Sequence, residues 1–350
     1  MQEQSYHEQV DIQNTYRLRE LIATLPPFTK DFFRGIEPRT SSKTRIAYAY
    51  DLNIFFQFLY NNNSTFQKGE LKDITLEQLE QLSPMDIEEY LDYLKVYQNK
   101  EKKTHSNKER GIMRKLSSLK SMYSYFYQKE LITYNPAALV RMPKLHEKNI
   151  VRLDVDEVAL LLDQVEQGNK LTKKQQTYHN KTRIRDLALM TLLLGTGIRV
   201  SECVGLNLND IDLKNSGIKV HRKGGKEVMV YFGDEVEQAL LEYLEERKHM
   251  VAEEGHEQAL FLSMQRKRLN VRSVENLVKK YSKTVTTVKN ITPHKLRSTY
   301  GTNLYKETGD IYLVADVLGH SDVNTTKKHY AAIEDEHRRK ARNIVKLREI

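Results

Sequence analysis

Six polar residues in the second half of the chain have types that could share one reaction. Arg199 follows a Gly-Thr-Gly turn in "GTGIRVSE". Lys223 stands in the turn "RKGGKE". His294 and Arg297 are three apart in "TPHKLRSTYGTNL", which puts them on one side of a helix. His320 follows Leu318-Gly319 in "LGHSDVNTTKKHY", and Tyr330 ends that stretch. Taken singly, each has a plain structural reading. Arg199 can pair with Glu202 at i+3, Lys223 can be a solvated turn lysine, and His294 can cap the helix that follows Pro293. His320 can be a core histidine behind a glycine cap, and Tyr330 a surface aromatic. Together they supply two guanidiniums, one ammonium, two imidazoles and a phenol. The sequence has no acidic cluster at metal-ligand spacing, and neither GxxxxGK[ST] nor HExxH occurs.

That set suits phosphoryl transfer carried out without a metal or a nucleotide. Two arginines can take the non-bridging oxygens of a phosphodiester bidentately, the work a magnesium ion does elsewhere. A phenol, with a pKa of roughly 10, is a poor nucleophile at neutral pH. Concentrated positive charge stabilises the developing phenolate, and a nearby base can take its proton. The departing sugar oxygen needs an acid, which a flexible lysine can supply. The product, a phosphotyrosine ester, keeps the bond energy, so a second strand's hydroxyl can attack it and strands can be rejoined without ATP.

The elements that must position these groups are mostly helical. Thr44 to Tyr60 places Tyr48, Leu52, Phe55 and Leu59 on one face, and "RKLSSLKSMYSYFYQKEL" does the same with Leu116, Leu119, Tyr123 and Phe126. Thr75-x-x-Gln78 and Ser83-Pro84 read as helix starts. The outward cations of this half, Arg45, Arg114, Lys115 and Lys120, are candidates for phosphate contacts, with plain solvation as the alternative. "RMPKLHEKNIVRL" lacks a period and reads as a linker. Asp154-x-x-Glu157 then caps a new helix, "EQGNKLTKKQQTYHNKT" reads as an exposed loop, and "RIRDLALMTLLLG" as a buried helix closed by Gly195. In "GIKVHRKGGKEVMVYF" the period changes from helix to strand, with the glycines of "KGGK" placed for a hairpin. Helices resume after it, interrupted by a short strand-like "LFLS".

The 350 residues allow two domains, each with its own core. The net charge of +9, from 56 basic and 47 acidic residues, leans towards a polyanionic partner. A single cysteine rules out an internal disulfide and fits a reducing cytosol, with Cys203 as buried filler. The polar start "MQEQSYHEQV" is unlike a signal peptide, and "LALMTLLLG" is too short to span a bilayer. A cytoplasmic protein without a membrane partner is expected.

The motifs "TGIRVSE", "RKGGKE", "HKLR", "LGHSDVNTT" and the terminal "HY", in this order and spacing, resemble the tyrosine recombinases, the Xer and phage-integrase group. "TRIAYAYDL" and "NPAALVRMPK" resemble, more loosely, that family's core-binding domain and its exit into the linker. The resemblance implies a mainly α fold: a helical, SAM-like core-binding domain followed by a mixed α/β catalytic domain with a small antiparallel sheet. The expected divisions are an N-terminal extension (1–40), a core-binding domain (41–140), a linker (141–153), a catalytic domain (154–335) and a tail (336–350). That tail is expected either as a short helix with Ile344 and Leu347 inward, docked on a neighbouring protomer as the family implies, or as a frayed basic tail.

The resemblance also implies roles. Arg199 and Arg297 would clamp the scissile phosphate, Lys223 would be the general acid to the leaving 5′ hydroxyl, and His294 would assist proton transfer. His320 would hydrogen-bond a phosphate oxygen, Tyr330 would be the nucleophile of a 3′-phosphotyrosyl link, and Glu202 would support the arginine helix. No cofactor or metal is expected. The expected partners are double-stranded DNA and further copies of the chain, two per site and four at synapsis, with exchange through a Holliday junction; accessory recombination proteins are compatible with this. The setting would be chromosome dimer resolution or mobile-element integration and excision. The alternatives are type IB topoisomerase-like relaxation and a non-catalytic DNA-binding regulator.

Overall fold

The computed structural model describes residues 5–67, 69–98, 102–146, 151–222, 225–320 and 323. The chain forms two compact units, Met1–Glu147 and Lys148–Ile350.

The first unit is built from helices α1 (Tyr6–Ile22), α2 (Thr29–Ile36), α3 (Ser42–Asn62), α4 (Leu76–Glu80) and α5 (Pro84–Tyr93). A short antiparallel ribbon follows, β1 (Val96–Gln98) and β2 (Thr104–Ser106), then α6 (Glu109–Gln128) and α7 (Pro136–Leu139). The expected helix starts are present: Thr75 and Ser83 each accept a hydrogen bond from the backbone three residues on, at Gln78 and Asp86. The apolar stripes are the core. Leu52, Phe55 and Leu59 of α3 are buried against Leu116, Leu119, Tyr123 and Phe126 of α6, with Tyr48 half-buried beside them. Aromatic edges meet faces, as between Phe55 and Tyr90 at 5.1 Å. Residues 5–40, expected as part of an extension, are built into this unit: Leu18, Leu25, Phe32 and Phe33 lie in the same core.

The expected outward direction is corrected for two of the four cations, Arg45 and Lys115, which are buried. Asp51, on the buried side of α3, lies beside Arg114 and Lys115. Arg114 lies 2.6 Å from its carboxylate while staying half-exposed, and Lys115 is buried 3.9 Å from it, donating to Asn107 at 2.9 Å. Arg45 is also buried and pairs with Glu37 at 2.5 Å. Lys120 is half-exposed, its ammonium 3.5 Å from the carbonyl of Ala138. Burial pushes the Asp51 carboxyl up to about 6 against the opposing pull of the two cations, and burial lowers the Lys115 pKa.

The second unit begins with α8 (Val155–Gln167), started by the expected Asp154–Glu157 capping box. The following loop is shorter than expected. Thr172 and Gln175 form a further capping box, so α9 runs from Lys173 to Thr196 and takes in most of the polar run. It also passes through Gly195, the expected stop, and ends at Gly197, which has φ 62°. Gly195 is instead a point of close approach: a Cβ there would strike the side chain of Val236. Val236 lies on α11 (Asp234–Lys248), which packs along α9.

Between these helices lie α10 (Val200–Gly205) and a three-stranded antiparallel sheet in the order β3 (Ile211–Asp212), β4 (Gly217–His221), β5 (Glu227–Tyr231). The hairpin register pairs Gly217 with Tyr231 and His221 with Glu227. The strand-like "LFLS" forms no strand; it contributes one isolated bridge, Leu262 to Arg268, and Ala259 just before it bridges to Asn207. Helices α12 (Val271–Val285), α13 (Pro293–Thr308) and α14 (Ile311–Leu318) complete the unit. Its core is dominated by α9, whose Ala188, Leu189, Met190, Leu192 and Leu193 are buried. A buried polar knot sits at one end: Asp186 pairs with Arg185 at 2.6 Å and Lys280 at 3.3 Å and accepts from the Tyr281 hydroxyl at 2.9 Å. Cys203 is buried as expected, which pushes its thiol up to about 12. The architecture is thus mainly helical with small antiparallel sheets, as the sequence implies.

Candidate active site

The site is assembled where three helix ends meet. Gly197 closes α9 in the left-handed conformation, where a Cβ would strike the ring of Tyr300 on α13. The chain turns through Ile198, and Arg199 becomes the N-cap of α10. Glu202 then holds Arg199 twice, its carboxylate accepting from the backbone N–H at 2.7 Å and from Nη1 at 2.8 Å. The structural pairing foreseen for Arg199 therefore exists, yet it does not use up the guanidinium. Nη2 of Arg199 donates to the carbonyl of Gly319 at 3.1 Å.

Arg297 arrives from α13, which packs on both α9 and α14. It is buried, donating from Nη1 to the carbonyl of Gly197 at 2.7 Å and from Nη2 to that of Leu318. His294 lies one turn earlier on the same helix and is exposed. It does not cap the helix: Thr292 is the N-cap and Pro293 the first helical residue.

Helix α14 starts with Asp310, whose side chain accepts from the backbone of Tyr312 and Leu313. It ends at Gly319, with φ 62°, after which the His320 backbone N–H returns to the carbonyl of Ala315 at 2.9 Å. Leu318 is buried with Tyr305 and Val314, fixing this end, and His320 follows it half-buried.

The structure thus brings Arg199, Arg297 and His320 to one place, with His294 on the helix that carries Arg297. Lys223 and Tyr330 lie outside the described residues, as do His329 and the tail 336–350. Lys226, in the same turn as Lys223, is exposed. Among the described residues, no helix is long and apolar enough to cross a membrane.

One residue of the site had no role assigned from sequence. Arg222, at the end of β4, donates from Nη2 to the carbonyl of Val317 at 2.7 Å and from Nη1 to that of Asp316 at 3.2 Å. Its signal was its place directly before Lys223 in "RKGGKE", a motif in which only the lysines attracted attention. Three guanidiniums therefore meet the four consecutive carbonyls of residues 316–319. These include carbonyls that a helix end leaves without intrahelical donors, at the negative end of its dipole. The arrangement concentrates positive charge beside His320 while fixing each guanidinium's plane, which is what a preorganised phosphate site requires.

The model of the phage integrase family matches residues 152–337. The chain belongs to that family, the tyrosine recombinases, and is a site-specific DNA strand transferase. Among its relatives, the tyrosine recombinase XerC of Caldanaerobacter subterraneus subsp. tengcongensis is 32% identical over 330 residues, covering 91% of this chain and 86% of its own. The tyrosine recombinase XerS of Streptococcus uberis is 32% identical over 346 residues, covering 91% of this chain and 96% of its own. The fold is shared with solved structures of lower identity. XerH site-specific recombinase bound to a palindromic difH substrate superposes with a TM-score of 0.64 at 19% identity, over 87% of this chain and 80% of that one. A lambda integrase dimer bound to a COC′ core site gives 0.59 at 17%, over 86% and 93%.

Proposed function

We propose that this recombinase cleaves DNA through a phosphate cage of Arg199, Arg297 and His320, with Tyr330 as nucleophile, Lys223 as general acid and His294 assisting proton transfer. The observation that carries this is the convergence of Arg199 and Arg297 on the carbonyls of Gly319 and Leu318, immediately before His320. A guanidinium can hold a backbone carbonyl with one edge and present another to a phosphate oxygen. The Tyr330 oxygen attacks phosphorus as the bond to the 5′ oxygen breaks. The phenolic proton leaves to a base, with His294 assisting. The Lys223 ammonium gives its proton to the departing oxygen, leaving a 3′-phosphotyrosyl ester and a free 5′ hydroxyl. Attack by the 5′ hydroxyl of a second strand reverses these steps and yields a Holliday junction.

The first unit would serve as the core-binding domain and the second as the catalytic domain. Together they would grip duplex DNA in the cytoplasm, two copies of the chain per site and four at synapsis. Arg114 and Lys120 remain the phosphate-contacting candidates of the first unit, since Arg45 and Lys115 are buried in ion pairs and hydrogen bonds of the fold. The experiment is to trap genomic fragments on the protein under denaturing conditions and sequence them. One recurrent short site, with the protein on the 3′ side of each break and a free 5′ hydroxyl, is expected. Protein-linked 5′ ends, or breaks scattered without a common site, would overturn the reading.

A further inference from the structure

Arg222 binds the helix end differently from the two cage arginines. It comes from the sheet rather than from a helix, and its two bonds go to Asp316 and Val317, the two residues directly before the Leu318 and Gly319 carbonyls that Arg297 and Arg199 hold. Its approach depends on Gly319, because a Cβ there would run into the Arg222 guanidinium. The Nε of Arg222 is buried without a hydrogen-bond partner, an unfavourable arrangement that the packing sustains. A solvated surface arginine would adopt neither feature. The β4–β5 ladder ends at the pair His221–Glu227, so Arg222 is the last β4-side residue before Lys223, and its guanidinium bonds tie it to α14.

We propose that Arg222 is a positioning residue for proton delivery: it ties the β4 end of the hairpin to the helix end that precedes His320, and so sets where Lys223 protonates the leaving oxygen. The inference rests on the reading of Lys223 as general acid. Arg222 has this holding role alone, through its bonds to Val317 and Asp316, and the phosphate falls to Arg199 and Arg297. Its loss therefore impairs one event, protonation of the 5′ oxygen as the P–O bond breaks, and leaves phosphate binding to Arg199 and Arg297.

The test compares two suicide duplexes built on the site recovered by trapping, one with oxygen and one with sulfur as the bridging 5′ atom of the scissile phosphate. An alkoxide must be protonated as it leaves. A thiolate keeps its electron pair and departs without a proton, thiols ionising near pH 8.5. Single-turnover adduct formation is measured with full-length wild-type protein, Arg222→Ala, Lys223→Ala and Arg199→Ala. Arg222→Ala should be slowed roughly 10- to 100-fold on the oxygen duplex, within the share a general acid supplies. On the sulfur duplex it should recover to near the wild-type rate, as Lys223→Ala does, while Arg199→Ala stays slow on both. If sulfur rescues Lys223→Ala but not Arg222→Ala, Arg222 acts on the phosphate or on the fold, and the proposal fails. If sulfur does not rescue Lys223→Ala either, the general-acid reading itself falls, and the role of Arg222 with it. Should the alanine variant not fold, Arg222→Lys carries the test, with the same sulfur rescue expected of whatever defect it shows.

Discussion

Glu202 grips Arg199 at two points, its two carboxylate oxygens lying 2.7 Å from the backbone nitrogen and 2.8 Å from Nη1. One buried carboxylate thus starts α10 and orients the guanidinium that α10 presents. Replacing the arginine should remove a preorganised charge from the phosphate, and replacing the glutamate should only loosen it. Arg199→Ala is expected to retain DNA binding and lose on the order of 10²–10³ in cleavage rate, about 3–4 kcal/mol of barrier. Glu202→Gln should lose roughly tenfold, near the worth of one charge-assisted hydrogen bond. Single-turnover cleavage of a suicide duplex, with binding followed separately by gel shift, checks both. Equal losses in the two variants would contradict the division of labour.

Asp51 gives the first unit a pH dependence of known sign. Its carboxyl is raised from 3.8 to about 6, chiefly by burial. The folded chain therefore holds this proton over a pH range in which the unfolded chain has released it, and stability falls as pH rises from about 4 to 6. A shift of this size corresponds to roughly 3 kcal/mol. Thermal melts of wild-type protein and Asp51→Asn across pH 4 to 7 should show the variant gaining on wild type through that window and levelling off above it. A difference that is flat with pH would contradict the shift.

Gly197 and Gly319 both have φ 62°, yet alanine should not cost the same at each. Both variants carry the left-handed penalty of about 1–2 kcal/mol. At Gly319 the new Cβ meets the far end of the long Arg222 side chain, which can give way by breaking its bonds to Asp316 and Val317; at Gly197 it meets the ring of Tyr300 and the side chain of Leu318. Gly197→Ala should be the more destabilising, by about 1–3 kcal/mol further for overpacking. Denaturant unfolding of the two variants measures the order, which equal midpoints would refute.

The four cations of the first unit should separate into two behaviours. Arg114→Ala and Lys120→Ala should each lower the slope of log binding constant against log salt by about one, with little effect on the melt beyond the lost Asp51 pairing. Lys115→Ala should leave the salt slope unchanged and reduce stability, because its ammonium is buried beside Asp51 and bonded to Asn107. Salt titrations of DNA binding together with melting curves make the distinction, and a salt-slope change in Lys115→Ala would contradict it.

What the sequence revealed and what it concealed have physical causes. The helical stripes, capping boxes and hairpin were legible because each is a local rule of period or spacing. The motif order that carries the family was legible because the reaction demands those side-chain types. The end of α9 was misplaced by two residues because a glycine serves two purposes there. Gly195 admits Val236, and Gly197 supplies the positive φ that stops the helix. The outward direction of Arg45 and Lys115 was misread because a helical wheel shows neither the Glu37 that pairs with Arg45 nor the buried Asp51 beside Lys115. Arg222 was missed for a related reason: its partners are carbonyls, which have no signature in the sequence.

The central claim is that Tyr330 is the atom that joins protein to DNA. Two other tyrosines near the site serve as internal rivals: Tyr300, packed behind Gly197 with its pKa raised by burial, and Tyr312, exposed on α14. With a nicked suicide duplex carrying the correct site, wild-type protein, Tyr300→Phe and Tyr312→Phe should each form an adduct that survives detergent denaturation. Tyr330→Phe should bind the same duplex and form none. An adduct that persists in Tyr330→Phe and disappears in either of the other two would contradict the account.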